Sequence, residues 1–486
     1  MKLGELAGAG HSLPDDQSRI DIQGLTADSR EVGPGFLFAA LPGTQTDGAN
    51  FIPQAVKSGA AAILLPQGAH ASAQITVPVI EDGDAHRAFS LMAARYFARQ
   101  PKTIVAVTGT SGKSSIVAYV RQLWQALGFN AASLGTIGVE TPSGPRTVGL
   151  TTPDPVALHK TLADLADEGI THLALEASSH GLQQRRLDGV DFAAAAFTNL
   201  SRDHLDYHPT FEDYLAQKLR LFTTLLNAGR PVVVNADSEA AGAFFKAAND
   251  RSLPIISVGR NGETLKLVEV ERVGFAQRLN IEHAGVGYDV ELPLVGEFQA
   301  SNALVAVGLC MACGADAGHV LPLLEDLKGA KGRLELVGTS ANGASVFVDY
   351  SHKPDALAKV LDALRPYAEG KLVVVFGCGG DRDRGKRPEM GEIASKKADV
   401  VIVTDDNPRG EDPNFIRAEI LSASANAREI PDRREAIETA VSELEAGDVL
   451  VVAGKGHEQG QIVGRKVLPF SDHEVVANAL AREGGK

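Results

Sequence analysis

Cysteine, tryptophan and positive charge are all scarce in this chain. Three cysteines in 486 residues cannot build a disulfide framework, which excludes a stapled secreted scaffold and agrees with a reducing compartment. Lys and Arg number 47 against 61 Asp and Glu, a formal charge of −14. That deficit argues against a nucleic-acid binder, whose footprint is basic, while leaving room for anionic ligands in local pockets. No apolar run reaches the ~18 residues of a membrane-spanning helix. The opening MKLGELAGAGHSLPDD has no basic flank followed by an apolar core, so no secretory signal is read there. A cytoplasmic protein without membrane or nucleic-acid partners is expected.

What is present is a globular composition, 44% hydrophobic and 22% charged. At ~150 residues per domain the length suggests about three domains. In the first hundred residues the runs FLFAAL (36–41), AAAILL (60–65) and ITVPVI (75–80) alternate with Gly/Pro turns, with a helix near 52–59. This reads as a small α/β unit. A helical stretch, Ala85–Gln100, then runs to Pro101, a boundary.

An apolar strand at 103–107 enters a Gly-rich turn and an amphipathic helix, and further strands are expected near 171–176, 193–197 and 231–236. Strands alternating with helices predict a mostly parallel, doubly wound sheet. Stricter alternation over 264–295 predicts an antiparallel patch before a helix at 299–314. After residue 332 the pattern restarts with strands at 345–350, 371–377, 399–406 and 448–454, and GTSANGAS (338–345) reads as a surface loop. Cys310 and Cys313 form a CxxC in the apolar stretch NALVAVGLCMACGADAG. Without a second ligand pair or a βαβ context they read as small core residues of a helix.

The strongest chemical signal is GTSGKSS, Gly109 to Ser115, between a strand and a helix. Phosphate binding needs N–H groups aimed at oxygens, glycines for close approach, a lysine for charge and a hydroxyl for Mg²⁺. Gly112, Lys113 and Ser114 supply these, although Val107 stands where the full GxxxxGK[ST] spacing needs glycine. At the next strand end lie Glu176 and Ser178–Ser179–His180, where ligands of doubly wound sheets gather and a carboxylate suits Mg²⁺. FTNLSRDHLDYH packs Asp203, His204, Asp206 and His208 into six residues. In the third unit DYSHKPDAL, FGCGGDRDRGKRP, DDNPRGEDP and GKGHE each follow a strand end. Four charged loops converging on one sheet edge point to function, and Gly377–Gly380 fails the GxGxxG spacing of a dinucleotide site.

These strings, with TTPDP (151–155), EASSHGL (176–182), GEFQASNALVA (296–306) and GRLE (332–335), resemble the Mur ligase family in order and across nearly the whole chain. The resemblance implies an α/β protein of three domains. Residues 1–100 would bind UDP, 101–332 would form a central P-loop doubly wound sheet binding ATP, and 333–486 a Rossmann-like domain binding the amino acid. The implied reaction is ATP-dependent addition of meso-2,6-diaminopimelate to the D-glutamate of UDP-N-acetylmuramoyl-L-alanyl-D-glutamate through an acyl phosphate, in peptidoglycan precursor synthesis. The expected cofactor is Mg²⁺, with ATP as co-substrate and the protein acting on small molecules as a monomer. By resemblance Gly109, Thr110, Ser111, Gly112, Lys113, Ser114, Ser115, Asn302, Arg333 and Asp349 would bind ATP. Ser114, Glu176, His204 and carbamylated Lys218 would hold Mg²⁺, making Lys113, His204 and Lys218 the catalytic set. Ser29, Thr44, Gln45, Thr46, Thr151, Thr152, Ser178, Gln184 and Arg186 would grip the UDP substrate. Diaminopimelate would meet Arg387, Asp406, Asn407, Pro408, Arg409, Gly454 and Glu458.

Diaminopimelate differs from lysine by a carboxylate at its far end, and Arg409 offers a bidentate partner for it. Ser111 and Ser114 stand where this family more often carries Asn and Thr; the hydroxyl that Mg²⁺ needs is kept. Ser351 and Lys353 replace the commoner Ala and Thr, with no reading from sequence. Two other readings are compatible: a folylpolyglutamate synthetase-like ligase, which shares the short loop, and a P-loop ATPase or binding protein.

Overall fold

In the computed structural model, residues 1–43, 46–69, 75–146, 149–201, 207–424 and 426–484 are described. Internal contacts divide the chain into two units, residues 1–266 with 304–320, and residues 267–303 with 321–486.

The first unit holds two sheets. Near the N-terminus, strands Gly24–Thr26, Phe36–Ala39, Ala62–Pro66 and Val79–Asp82 pair in parallel in that order. Helix Ala85–Phe97 covers one face, burying Phe89, Met92 and Ala93 in one cluster with Leu37, Leu64 and Ile80. Asp84 caps its start by accepting the Arg87 N–H, and Ala98, in the left-handed region, ends it. Strand Gly24–Thr26 is not foreseen from sequence, since three residues carry no readable period.

The second sheet of this unit runs Ile255–Gly259, Val232–Asn235, Ala194–Phe197, Thr103–Thr108, His172–Glu176 and Ala131–Gly135, all parallel. Gly138–Thr141 and Gly144–Arg146 extend it antiparallel. Its middle strands are continuous apolar runs, as strands covered on both faces must be. Strand Thr103–Thr108 lies between Ala194–Phe197 and His172–Glu176. The chain leaves it toward one side and later returns on the other, so its carboxyl end is the switch point of the sheet.

The second unit carries the antiparallel pair Ala276–His283 and Val286–Leu292. Leu279, Ile281, Val290 and Leu292 are buried while the intervening Arg278, Glu282 and Glu291 face out, which is the alternation expected. It also carries a six-stranded sheet, Glu335–Thr339, Ser345–Asp349, Val449–Ala453, Leu372–Phe376, Val400–Val403 and Arg428–Glu429. Only its first pairing is antiparallel. The expected loop at 338–345 is shorter than read, because Gly338 and Thr339 finish strand Glu335–Thr339 across a bulge and Ser345 opens the next strand. Helices on both faces build two separate buried clusters.

Helix Glu297–Ala312 carries Cys310, fully buried, and Cys313 follows it half-buried. Burial pushes the Cys313 thiol up to about 12 and raises that of Cys310 well above the usual thiol range, so both are inert packing groups. Among the described residues, no helix is long and apolar enough to cross a membrane.

Candidate active site

In the first unit the phosphate loop is held through its main chain. Thr198 Oγ1 donates to the Ser111 carbonyl at 2.7 Å, and Asn199 Oδ1 accepts the Ser111 N–H at 3.0 Å. The Asn199 carbonyl takes the Thr110 N–H, and Thr110 Oγ1 lies 3.0 Å from the Tyr214 hydroxyl. Asn199 and Thr198 thus hold residue 111 through its main chain, contacts that do not depend on its side chain. Gly109 is obligatory: its φ is +149°, and a Cβ would lie 1.9 Å from Thr198 Oγ1. Gly112, at φ +89°, opens helix Lys113–Ala126, in whose first turn Ser114 and Ser115 are buried. Lys113 Nζ donates to the Gly109 and Thr110 carbonyls. The loop thus presents helix N–H groups, an ammonium and a hydroxyl at a switch point, a ready anion site.

Lys218, on helix Phe211–Arg220, is 1% exposed and donates to the Gly109 carbonyl at 2.7 Å, with Nζ 4.4 Å over the Tyr214 ring. His204, with Asp203 and Asp206, lies outside the described residues. His208 is buried, its Nδ1 2.8 Å from Asp213 Oδ2, with no hydrogen-bond partner at Nε2 among the described residues. Glu176 is 1% exposed and accepts from the Thr136 N–H (2.8 Å) and Oγ1 (3.2 Å). No other hydrogen bond to its side chain is found among the described residues.

Five residues read as substrate contacts form one linked cluster beside Glu176. Thr151 Oγ1 meets Thr136 Oγ1, and Thr152 Oγ1 donates to the Glu176 carbonyl and lies 3.0 Å from Ser178 Oγ. Ser178 caps helix Ser179–Gln183. Arg186 donates to the Thr152 carbonyl and to Gln184 Oε1, and Gln184 Nε2 to the Tyr207 hydroxyl. Gln184 and Arg186 line a cavity of about 930 Å³ whose wall also includes Asp28, Glu31, His86, Asp154 and Tyr207. Ser29, buried, adjoins it in sequence through Asp28. Thr46 is exposed in a turn, its carbonyl accepting the Gly43 N–H; Thr44 and Gln45 lie outside the described residues.

Sequence reasoning missed Asp28, Glu31, His86, Asp154 and Tyr207. Two of them carried a signal: Tyr207 sat in the quoted FTNLSRDHLDYH, and Asp154 in TTPDP precedes a proline, its side chain capping helix Pro155–Asp167 through the Val156 and Ala157 N–H groups. The Arg30 guanidinium bound to Asp28 holds that carboxyl down to about 2.

In the second unit, Asp349 is buried and accepts the Leu334 and Ser351 N–H groups. Arg333 stacks 4.5 Å over the Tyr350 ring, and Asn302 donates to Gln299 Oε1. The Ser351 hydroxyl, also buried, has no hydrogen-bond partner among the described residues, and nothing here explains its choice.

Four charged loops meet at the carboxyl edge of the six-stranded sheet. Lys455, fully buried, donates to Asn407 Oδ1 (3.0 Å) and Glu458 Oε2 (2.9 Å), and Asn407 Nδ2 reaches the same Glu458 oxygen. Asp406 is buried beside Gly454, where a Cβ would lie 2.8 Å from Asp406 Oδ2. Arg409 Nη1 donates to the Gly380 carbonyl, and a Cβ at Gly380 would lie 2.0 Å from the Pro408 carbonyl oxygen. Arg387, expected to meet diaminopimelate, is fully buried and paired with Glu411 (2.8 Å) and Glu419 (2.6 Å). Lys455, absent from the expected set, sat in the quoted GKGHE motif. No group of three or more metal-ligating side chains occurs among the described residues.

Fold and site together define a phosphate-loop α/β protein with a second, charge-rich α/β sheet. The chain belongs to the Mur ligase family: residues 107–310 match its middle domain, 332–456 the domain described as "Mur ligase, glutamate ligase domain", and 21–97 the one described as "Mur ligase family, catalytic domain". It is similar to the UDP-N-acetylmuramoyl-L-alanyl-D-glutamate–2,6-diaminopimelate ligase of Bradyrhizobium diazoefficiens, with 57% identity over 99% of each chain. A solved structure of a ligase of that name aligns with TM-score 0.72 and 33% identity over 100% of this chain and 99% of the other. Folylpolyglutamate synthase of Mycobacterium tuberculosis, solved with ADP and AMPPCP, aligns with TM-score 0.63 over 76% of this chain and 92% of its own; at 18% identity it shares the fold alone.

Proposed function

We propose that this chain joins meso-2,6-diaminopimelate to the D-glutamate carboxylate of UDP-N-acetylmuramoyl-L-alanyl-D-glutamate, consuming ATP. The observation that carries this reading is 57% identity over 99% of both chains to a ligase of that name. A folylpolyglutamate synthase reading has only shared fold behind it.

The chemical problem is that a carboxylate is a poor electrophile, since its leaving group would be oxide. Transfer of the ATP γ-phosphoryl group onto the glutamate oxygen forms an acyl phosphate; the diaminopimelate amine then attacks the carbonyl carbon and phosphate leaves. Little covalent work falls to the protein, so positioning and charge neutralisation dominate. The Gly109–Ser115 loop and Lys113 cradle the phosphates. Thr151, Thr152, Ser178, Gln184 and Arg186, with the cavity beside them, hold the UDP substrate. Asn302, Arg333 and Asp349 serve the rest of ATP.

Magnesium would supply further neutralisation of phosphate charge. The donor set fits a hard cation: Ser114 offers a hydroxyl in the first helical turn, and Glu176 is a buried carboxylate met only by Thr136 among the described residues. His204 and Lys218, the latter as a carbamate, complete the set. A carbamate keeps one N–H on the former ammonium nitrogen, which leaves a donor for the Gly109 carbonyl that Lys218 reaches, while the charge changes sign. In the second unit Arg409 pairs with the distal carboxylate of diaminopimelate, and Asp406, Asn407 and Glu458 face its ammonium, with Pro408 and Gly454 shaping the loops. The protein acts as a cytoplasmic monomer, with domain boundaries in the sequence near residues 100 and 332.

Phosphate release from ATP tests this reading. Rapid release is expected only when the UDP-muramyl dipeptide and diaminopimelate are both present; equal release without either would contradict it.

A further inference from the structure

Hairpin Gly460–Val463 with Lys466–Pro469 buries little: Val463, Val467 and Leu468 are 43%, 67% and 45% exposed. A two-stranded ribbon is marginal by itself in water, so packing does not explain it. Its contacts run to the 405–409 loop instead. The Arg409 N–H donates to the Ile462 carbonyl at 3.0 Å, and the Gly464 N–H donates to the Arg409 carbonyl at 2.7 Å. Ile462 N–H reaches Asn407 Oδ1 at 2.9 Å, and Gln461 Nε2 reaches the Asp406 carbonyl at 2.8 Å. Although Ile462 faces Val467 in the ribbon, both its main-chain polar groups point outward to the loop.

Arg409 itself sits at φ +51°, a left-handed conformation that a residue with a Cβ keeps only when its surroundings impose it. The two hydrogen bonds from the ribbon bracket that residue. The buried ammonium of Lys455 fixes Asn407 from the other side, sharing Oδ1 with Ile462.

We propose that the 460–469 hairpin is a positioning device for Arg409, acting through Gln461 and the main chain of Ile462 and Gly464 to set discrimination between diaminopimelate and lysine. This rests on the reading of Arg409 as the contact for the distal carboxylate. These are positioning residues, since they act through Arg409.

The test is steady-state kinetics of the full chain, with KM for all three substrates and the ratio of kcat/KM for diaminopimelate to that for lysine. Ile462→Pro deletes the N–H to Asn407 without touching the ribbon's own ladder. It should raise KM for diaminopimelate about tenfold or more and shrink the ratio, with the other two KM values and the melting temperature unchanged. Gln461→Leu, a side-chain change that decides the matter if the proline variant does not fold, should shift the same two quantities about three- to tenfold. Unchanged diaminopimelate kinetics in the folded variants, or parallel rises in all three KM values, would overturn the proposal. Arg409→Ala separates the two levels. A defect there with normal hairpin variants overturns the positioning role alone, whereas no defect overturns the functional reading and this proposal together.

Discussion

The phosphate loop and the carboxyl edge of the six-stranded sheet both hold exposed loops still, by different chemistry. Around Gly109–Ser115 the ties named above run through main-chain groups and the neutral side chains of Thr198, Asn199 and Tyr214, with lysines donating to carbonyls. At the second edge they are full charges: Arg387 with Glu411 and Glu419, Arg417 with Asp405 and Glu429, and Arg433 with Asp472. The ligands account for the contrast. A loop that receives a polyphosphate gains nothing from carboxylates, which would repel it. A site for a doubly zwitterionic amino acid tolerates both signs, provided that scaffold charges cancel in pairs and spare the ones that recognise.

Breaking the charged side should cost most. Arg433 and Asp472 are both 0% exposed and bonded at 2.8 Å, and Asp472→Ala leaves a buried guanidinium. A loss of about 3–5 kcal/mol in urea unfolding is expected; a loss below about 1 kcal/mol would undo the contrast. On the neutral side, Lys113→Ala should lower kcat by about 10²–10³ with stability little changed, because its charge serves phosphate more than fold. Full activity in that variant would remove the phosphate reading.

The two regions agree in one respect. Burial pushes the His159 ring, in the first unit, and the His352 ring, in the second, down to about 4. The native rings stay neutral where unfolded ones, near 6.5, take up protons, so stability should fall as pH drops from about 6.5 toward 4. The slope is at most about 1.4 kcal/mol per pH unit for each ring. Denaturant titrations at pH 6.5 and 5 check it, and His352→Gln should flatten the dependence. The smallest effect is expected at Lys246→Ala, whose pair with Asp250 is largely exposed: below about 0.5 kcal/mol. A larger loss would mean that surface pairs weigh as much as buried ones.

The same contrast governs what sequence could reveal. GTSGKSS announces a phosphate loop because its work is local: glycines, lysine and hydroxyl act within one turn. The TNLS segment looked charged and metal-like through its neighbours, yet Thr198 and Asn199 serve as a main-chain clamp, which depends on strand Ala194–Phe197 lying beside Thr103–Thr108. The partners of Arg387, Glu411 and Glu419, lie 24 and 32 residues downstream and are brought to it only by folding. The cavity wall escaped for the same reason, as Asp28, His86 and Tyr207 converge from distant segments. Long apolar strands were legible; strands Gly138–Thr141 and Gly144–Arg146, short and broken by Gly and Pro, were not.

The most direct measurement is a competition: the purified chain with ATP, the UDP-muramyl dipeptide and equal diaminopimelate and lysine, with product masses read out. The tripeptide carrying diaminopimelate should dominate, and Arg409→Ala should cut its kcat/KM by about 1.5–3 kcal/mol. A lysine product of equal abundance, or no peptide product at all, would contradict the account.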